Sequence, residues 1–196
     1  MKKVSVAIIT FIALATSALA QSKDSMQVIP IDKSPADIVY YPSRAAFDRN
    51  EDKTPNIRVV YSRPQKNGRE IFGKLEDYGK VWRTGANECT EIKFYQDVQV
   101  GDKTIKAGSY SLFTIPNKEK WTIILNSVTD KWGAYFYDKA KDVLRFDVPV
   151  KTPINPIEAF TILFKDDTNK NIRMIMGWDT SYVEVPFKVL KSKNSL

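Results

Sequence analysis

The chain is expected to fold as an all-β, single-domain antiparallel β-sandwich of jelly-roll type, with a closed β-barrel as the alternative. Three observations lead there. From Asn56 onward, short runs rich in β-branched and aromatic residues alternate apolar and polar with period two, the pleat of a half-buried strand. Gly, Pro, Asn and Asp punctuate these runs at spacings that suit sandwiches and barrels. No segment carries a sustained 3.6-residue apolar period.

The elements follow in chain order. Ile57, Val59 and Tyr61 share one face of a first strand, and Thr90, Ile92 and Phe94 one face of the next. Asp97 to Val100 and Lys103 to Lys106 form a hairpin across Gly101-Asp102, where glycine supplies the positive φ such a turn requires. Ala107-Gly108 marks a break or bulge before a strand from Tyr110 to Ile115, which Pro116-Asn117 ends. Trp121 to Leu125 and Ala134 to Tyr137 read as strands. Leu144, Phe146 and Val148 alternate with Val143, Arg145 and Asp147 in another. Phe160, Ile162 and Phe164 line a strand closed by Asp166-Asp167-Thr168-Asn169, a turn whose oxygens would also suit calcium but which lacks the EF-hand spacing. Ile172, Met174, Met176 and Trp178 precede a last strand of Val183, Val185, Phe187 and Val189. Pro186 lacks an amide donor, so this last strand is expected at a sheet edge. Gly73 to Tyr78 and Asp138 to Lys141 are candidates for single helical turns.

Outside this domain, placed at residues 57–190, the composition changes. Residues 1–20 read as a secretory signal peptide: Lys2 and Lys3, an apolar run from Val4 to Ala15 broken only by Ser5 and Thr10, and an Ala18-Leu19-Ala20 cleavage site. The run is shorter than the roughly 20 residues a membrane span needs. The expected products are a cut after Ala20 and a periplasmic or secreted protein without stable membrane insertion. Residues 21–56 read as a polar N-terminal arm, partly ordered at Ile38-Val39-Tyr40-Tyr41, and 191–196 as a disordered tail.

Composition removes whole classes of function. The chain has 196 residues, one cysteine and no histidine. Without histidine there is no Ser-His-Asp or Cys-His catalysis and no HExxH zinc site. No G-x-S-x-G, Walker loop or G-x-G-x-x-G occurs, and neither metal nor cofactor is expected. Cys89 has no partner for an internal disulfide and reads as a buried or half-buried small apolar residue. Removing Lys2 and Lys3 with the leader leaves 28 basic against 23 acidic residues, scattered along the chain. That lacks the concentrated basic stripe of a nucleic-acid binder.

The polar block from Arg63 to Glu91 interrupts this apolar scaffold, and its centre, Trp82-Arg83-Thr84-Gly85-Ala86-Asn87-Glu88, packs guanidinium, amide and carboxylate into seven positions. In an unbroken strand Glu88 would share the core face with Trp82, Ile92 and Phe94. Alternatively Gly85 breaks the strand and Asn87-Glu88 lie in a loop or bulge. On either reading Glu88 is expected to need a partner, with Arg83, Arg69 and Arg63 the nearest cations. Arg63, Arg69, Trp82, Arg83, Asn87 and Glu88 are therefore the candidate ligand-binding residues. They form either a self-contained network fixing a bend or the floor of a pocket for a small polar or anionic ligand. Trp132-Gly133 with Tyr135 and Tyr137 is a candidate aromatic platform for sugar, or else core and cross-strand packing. Glycoside hydrolysis needs two carboxyl groups about 5–9.5 Å apart. Glu88 and Glu91 would point to opposite faces of a strand unless a bulge intervenes, and Asp97, Asp130 or Asp138 are other possible partners.

The segments YSRP (Tyr61–Pro64), GREIFG (Gly68–Gly73), YGKVWRTGANECTEI (Tyr78–Ile92), AGSYSLFTIP (Ala107–Pro116), WTIILN (Trp121–Asn126) and WGAYFY (Trp132–Tyr137) resemble the bacterial domain-of-unknown-function family DUF2911. The resemblance runs from about Ile57 to Pro186. It implies export to the bacterial cell envelope and a packing role for Cys89, and it carries no activity or catalytic residue with it. The expected role is a non-enzymatic envelope module binding a small polar or anionic ligand, a glycan or a partner protein. The alternatives are a carboxylate-dependent hydrolase acting on saccharides and a purely structural or assembly protein.

Overall fold

The computed structural model describes residues 30–45, 54–167 and 171–190, and the fold belongs to the unit that begins at Ile31. Among these residues the strands are β1 (Ala36–Tyr41), β2 (Ile57–Ser62), β3 (Glu91–Phe94), β4 (Val98–Val100), β5 (Lys103–Ile105), β6 (Gly108–Ile115), β7 (Lys120–Asn126), β8 (Asp142–Pro149), β9 (Ile157–Asp166), β10 (Ile172–Asp179) and β11 (Ser181–Val189). They form a six-stranded sheet in the order β1-β2-β3-β6-β7-β8 and a five-stranded sheet in the order β5-β4-β11-β10-β9. The named strand pairs are antiparallel and neither sheet closes on itself, so the fold is a β-sandwich and not a barrel.

The period-two pattern does what the pleat requires. Along β2, Ile57, Val59 and Tyr61 are buried while Arg58 and Val60 are half-buried on the other face. The two inner faces meet in one apolar core. Tyr61 packs edge-on to Phe160, and Phe94 of the larger sheet lies 5.6 Å from Phe187 of the smaller. Full burial of each such side chain contributes about 1.5–3 kcal/mol. The 97–106 hairpin forms as expected, as β4 and β5. β9 closes at Asp166, where Asp167 N donates to Asn171 O across the turn, and Thr168 and Asn169 lie outside the described residues.

Three expectations need correction. The last strand, β11, is interior, between β4 and β10. Pro186 is tolerated because β4 is three residues long and pairs only with Lys188 and Val189, which leaves the edge beside Pro186 locally uncovered. Residues 134–137 form a turn rather than a strand, with Tyr137 N donating to Ala134 O. Gly133 at φ +62° breaks the extended path, and the preceding residues pair elsewhere. The turn expected at 73–78 is centred on 71–76, where Leu75 N and Glu76 N both donate to Ile71 O. The one at 138–141 is a 3-10 turn, Lys139–Lys141, capped by the Asp138 carboxylate on Ala140 N.

Candidate functional site

The long connection from β2 to β3 builds the site in two halves. In the first half the chain leaves the larger sheet and pairs with the smaller one: Lys66 N donates to Glu158 O, and Phe160 N to Pro64 O. Arg63 is saturated here. Its Nε donates to Phe160 O (3.2 Å), Nη1 to Asp37 (3.1 Å) and Nη2 to the Thr161 hydroxyl (3.1 Å). Arg69 is exposed and donates to the carbonyls of Lys66 and Gln65. Lys66 pairs at 3.2 Å with Asp179, whose other oxygen accepts from Ile71 N. These groups hold the loop to the sandwich, and neither Arg63 nor Arg69 joins Arg83.

The second half begins with Trp82, which is 3% exposed and belongs to the core. Its ring stacks at 6.0 Å on Trp178 of the smaller sheet and meets Trp121 of the larger edge-on at 6.1 Å, so it closes the sandwich between them. The indole donates to Gly85 O. Trp82 and Thr90 both lie along β6, Trp82 exchanging hydrogen bonds with Thr114 and Thr90 O accepting from Leu112 N. Residues 83–89 are thus an excursion from the sheet. Three threonines close its neck: Thr90 Oγ1 donates to Thr84 O at 2.6 Å, and Thr84 Oγ1 bonds Thr114 Oγ1 at 3.1 Å, all three fully buried. Gly85 breaks the strand at φ +156°, pressed so close that a Cβ there would stand 3.0 Å from Ser62 O. The expectation of a charged network is replaced by this hydroxyl cluster. Its signal in the sequence was the pair of threonines bracketing Gly85-Ala86-Asn87-Glu88-Cys89.

The excursion's outer arm pairs with a second loop. Cys89 N donates to Lys131 O and Gly133 N to Asn87 O, both at 2.9 Å. Glu88 and Trp132 therefore face each other as a non-hydrogen-bonded antiparallel pair, the closer kind, with side chains on the same side. Glu88 is exposed and needs no buried partner, contrary to expectation, because the positive φ of Thr84, Gly85 and Asn87 lifts it off the core face. Trp132 is 55% exposed, Tyr135 76% and Phe136 73%. Tyr137 does not share that surface. It packs on Phe113 at 5.1 Å, donates to Asp142 at 2.6 Å and accepts from Arg145, rooting the aromatic turn in β8. Burial and the bond to Asp142 push its phenol up to about 12.

Beside this pair lies an open cleft of about 440 Å³, lined among others by Ser62, Glu88, Cys89, Glu91, Asp130 and Lys131. Glu88 and Glu91 share it because the chain between them is not an unbroken strand. Glu91 is held by Arg58 at 2.7 Å. Burial pushes the Cys89 thiol up to about 12, so it stays protonated and is a poor nucleophile. Burial likewise pushes the Glu76 carboxyl up to about 7 against the opposing pull of Arg83, with Asp77 adding to the rise. Among the described residues no group of three or more Cys, Asp or Glu is arranged to hold a metal ion, and no helix is long and apolar enough to cross a membrane.

A family model described as a protein of unknown function, DUF2911, matches residues 43–187. The chain belongs to this family. The match takes in the 83–89 excursion, the aromatic turn and the cleft wall from Val60 to Lys131, while Ala36, which also lines the cleft, and Asp37, which holds Arg63, lie before it. No curated protein and no solved structure matches the chain.

Proposed function

We propose that this DUF2911 protein is an exported, non-enzymatic binding module of the cell envelope whose ligand is a glycan. The observation that carries the reading is the Glu88–Trp132 pair: an exposed indole with a carboxylate directly opposite, on a turn that also exposes Tyr135 and Phe136. A saccharide presents apolar C–H faces and hydroxyl donors together, and an aromatic ring beside a carboxylate matches both. Large aromatics exposed together mark a binding surface more often than a bare one. Export rests on the leader-like residues 1–20, which lie outside the described residues.

Trp132 is also the reporter. Trp82, Trp121 and Trp178 are 3%, 0% and 1% exposed, so saccharide contact should change the emission of Trp132 alone. The expected result is saturable quenching by at least one member of a panel of envelope oligosaccharides, lost in Trp132→Ala and weakened about tenfold or more in Glu88→Gln, with unchanged melting temperatures. A panel that quenches nothing would remove the reading. A second reading, a carboxylate-dependent hydrolase, is favoured by Glu88, Glu91 and Asp130 lining one cleft. It predicts slow cleavage of the bound oligosaccharide that Glu88→Gln abolishes, whereas the binding module leaves the ligand intact.

A further inference from the structure

Three half-buried arginines carry an Nε that is shut off from solvent and has no hydrogen-bond partner: Arg58, Arg83 and Arg173. Two of them are explained by their outer nitrogens. Arg58 holds Glu91 at 2.7 Å and Arg173 holds Glu184 at 3.1 Å. Arg83 differs: among the described residues its side chain makes no hydrogen bond and no ion pair. The carboxyl that feels its charge, Glu76, sits on the neighbouring 71–76 turn and forms no hydrogen bond with it. An Nε–H shut off from water without an acceptor is unfavourable and calls for a reason, while the outer nitrogens of the half-buried Arg83, which reach solvent and bond nothing in the described chain, stay open to a ligand.

Its position is specific. A Cβ built on Gly133 would stand 2.9 Å from Tyr135 Cε2 and 3.3 Å from Arg83 Nη1, so the ring and the guanidinium are near neighbours over the same glycine. Gly133 is the residue whose amide ties the aromatic turn to Asn87. The free cation is therefore built into the joint between the two loops, beside the most exposed aromatic ring of the turn. Arg83 is not among the residues lining the carboxylate cleft, so an anion reaching it need not lie among Glu88, Glu91 and Asp130.

We infer that Arg83 is the anchor for an anionic group, a carboxylate or phosphate, carried by a saccharide that lies against Tyr135. This rests on the glycan reading above and sharpens it to acidic glycans. The planar fork of arginine suits a bidentate carboxylate or phosphate.

The test uses full-length mature protein with ¹⁵N-labelled arginine, the Arg83 Nε–Hε signal being assigned by its loss in Arg83→Lys. Glucuronate, glucose and acetate are titrated separately, with Trp132 emission followed in parallel. The expected result is a saturable shift of the Arg83 signal with glucuronate, little with glucose or acetate, and a Kd for glucuronate at least about tenfold higher in Arg83→Gln. Arg83→Gln should melt within a few degrees of the parent. An Arg83 signal that stays still at saturating glucuronate, or moves equally with glucose, overturns the inference. If glucose and glucuronate both alter Trp132 emission while Arg83 is silent, the glycan reading stands and this inference falls. If acetate moves Arg83 as strongly as glucuronate, the anion site stands but the saccharide that carries it is overturned.

Discussion

The two halves of the β2–β3 connection have similar polar side chains and opposite fates. In the first half Arg63, Lys66 and Arg69 together make seven polar contacts of 3.2 Å or less to groups of the same chain. In the second, Arg83, Asn87 and Glu88 form no side-chain hydrogen bonds among the described residues, while buried hydroxyls and backbone amides do the fixing. A polar residue that satisfies itself inside the fold is part of the scaffold. One held in place by its backbone, with its head group unspent, is available to a ligand. Charge and proximity in sequence did not separate the two; the accounting of donors and acceptors did.

The contrast can be broken by substitution. The largest effect should come from Trp82→Ala, which removes the ring between Trp121 and Trp178 and is expected to cost about 3–5 kcal/mol in urea unfolding. Loss of under 1 kcal/mol would mean that Trp82 does not close the core. Next is Lys66→Ala in the saturated half. It strands the Asp179 carboxylate, whose side chain is 8% exposed, and should cost about 2–3 kcal/mol. That is less than for a fully buried pair, because the Lys66 side chain is still 21% exposed.

Arg63→Ala loses three hydrogen bonds and should destabilise by about 1–3 kcal/mol, whereas Arg83→Ala should change stability by less than about 0.5 kcal/mol. Equal losses would erase the distinction between scaffold and site. The smallest effect is a pH slope. Burial pushes the Glu76 carboxyl from its ordinary 4.5 up to about 7, so the folded state binds its proton more tightly than the unfolded state. Its contribution is fully present below about 4.5 and is lost as pH rises through about 7. Melting temperatures measured from pH 4 to 8 should therefore fall less across that window in Glu76→Gln than in the parent.

Much of the sandwich was legible because burial on one face of a pleat writes itself as alternation, as it does from Ile57 to Tyr61 in β2, from Ile172 to Met176 in β10 and from Val183 to Phe187 in β11. The site was legible only as a neighbourhood. Glu88 looked as if it needed a cation because its parity matched Ile92 and Phe94, but positive φ at Thr84, Gly85 and Asn87 reset the parity. Trp82 looked like a ligand residue because it neighbours Arg83, yet it points the other way. Tyr135 and Tyr137 shared a face only on the assumption of a strand. Residues 131–133 instead pair with the 87–89 segment, Gly133 N donating to Asn87 O and Cys89 N to Lys131 O, and residues 134–137 turn, which gave the two tyrosines different surroundings.

By itself the sequence determined the β architecture, the absence of histidine chemistry and the stretch where polar groups concentrate, since these depend on local periodicity and on which atoms are present. Only the tertiary structure decided that Arg63 is spent, that Arg83 is not, and that Glu88 faces Trp132. Hydrogen-bond satisfaction is a property of groups brought together from distant positions, and no local pattern encodes which donors will find an acceptor.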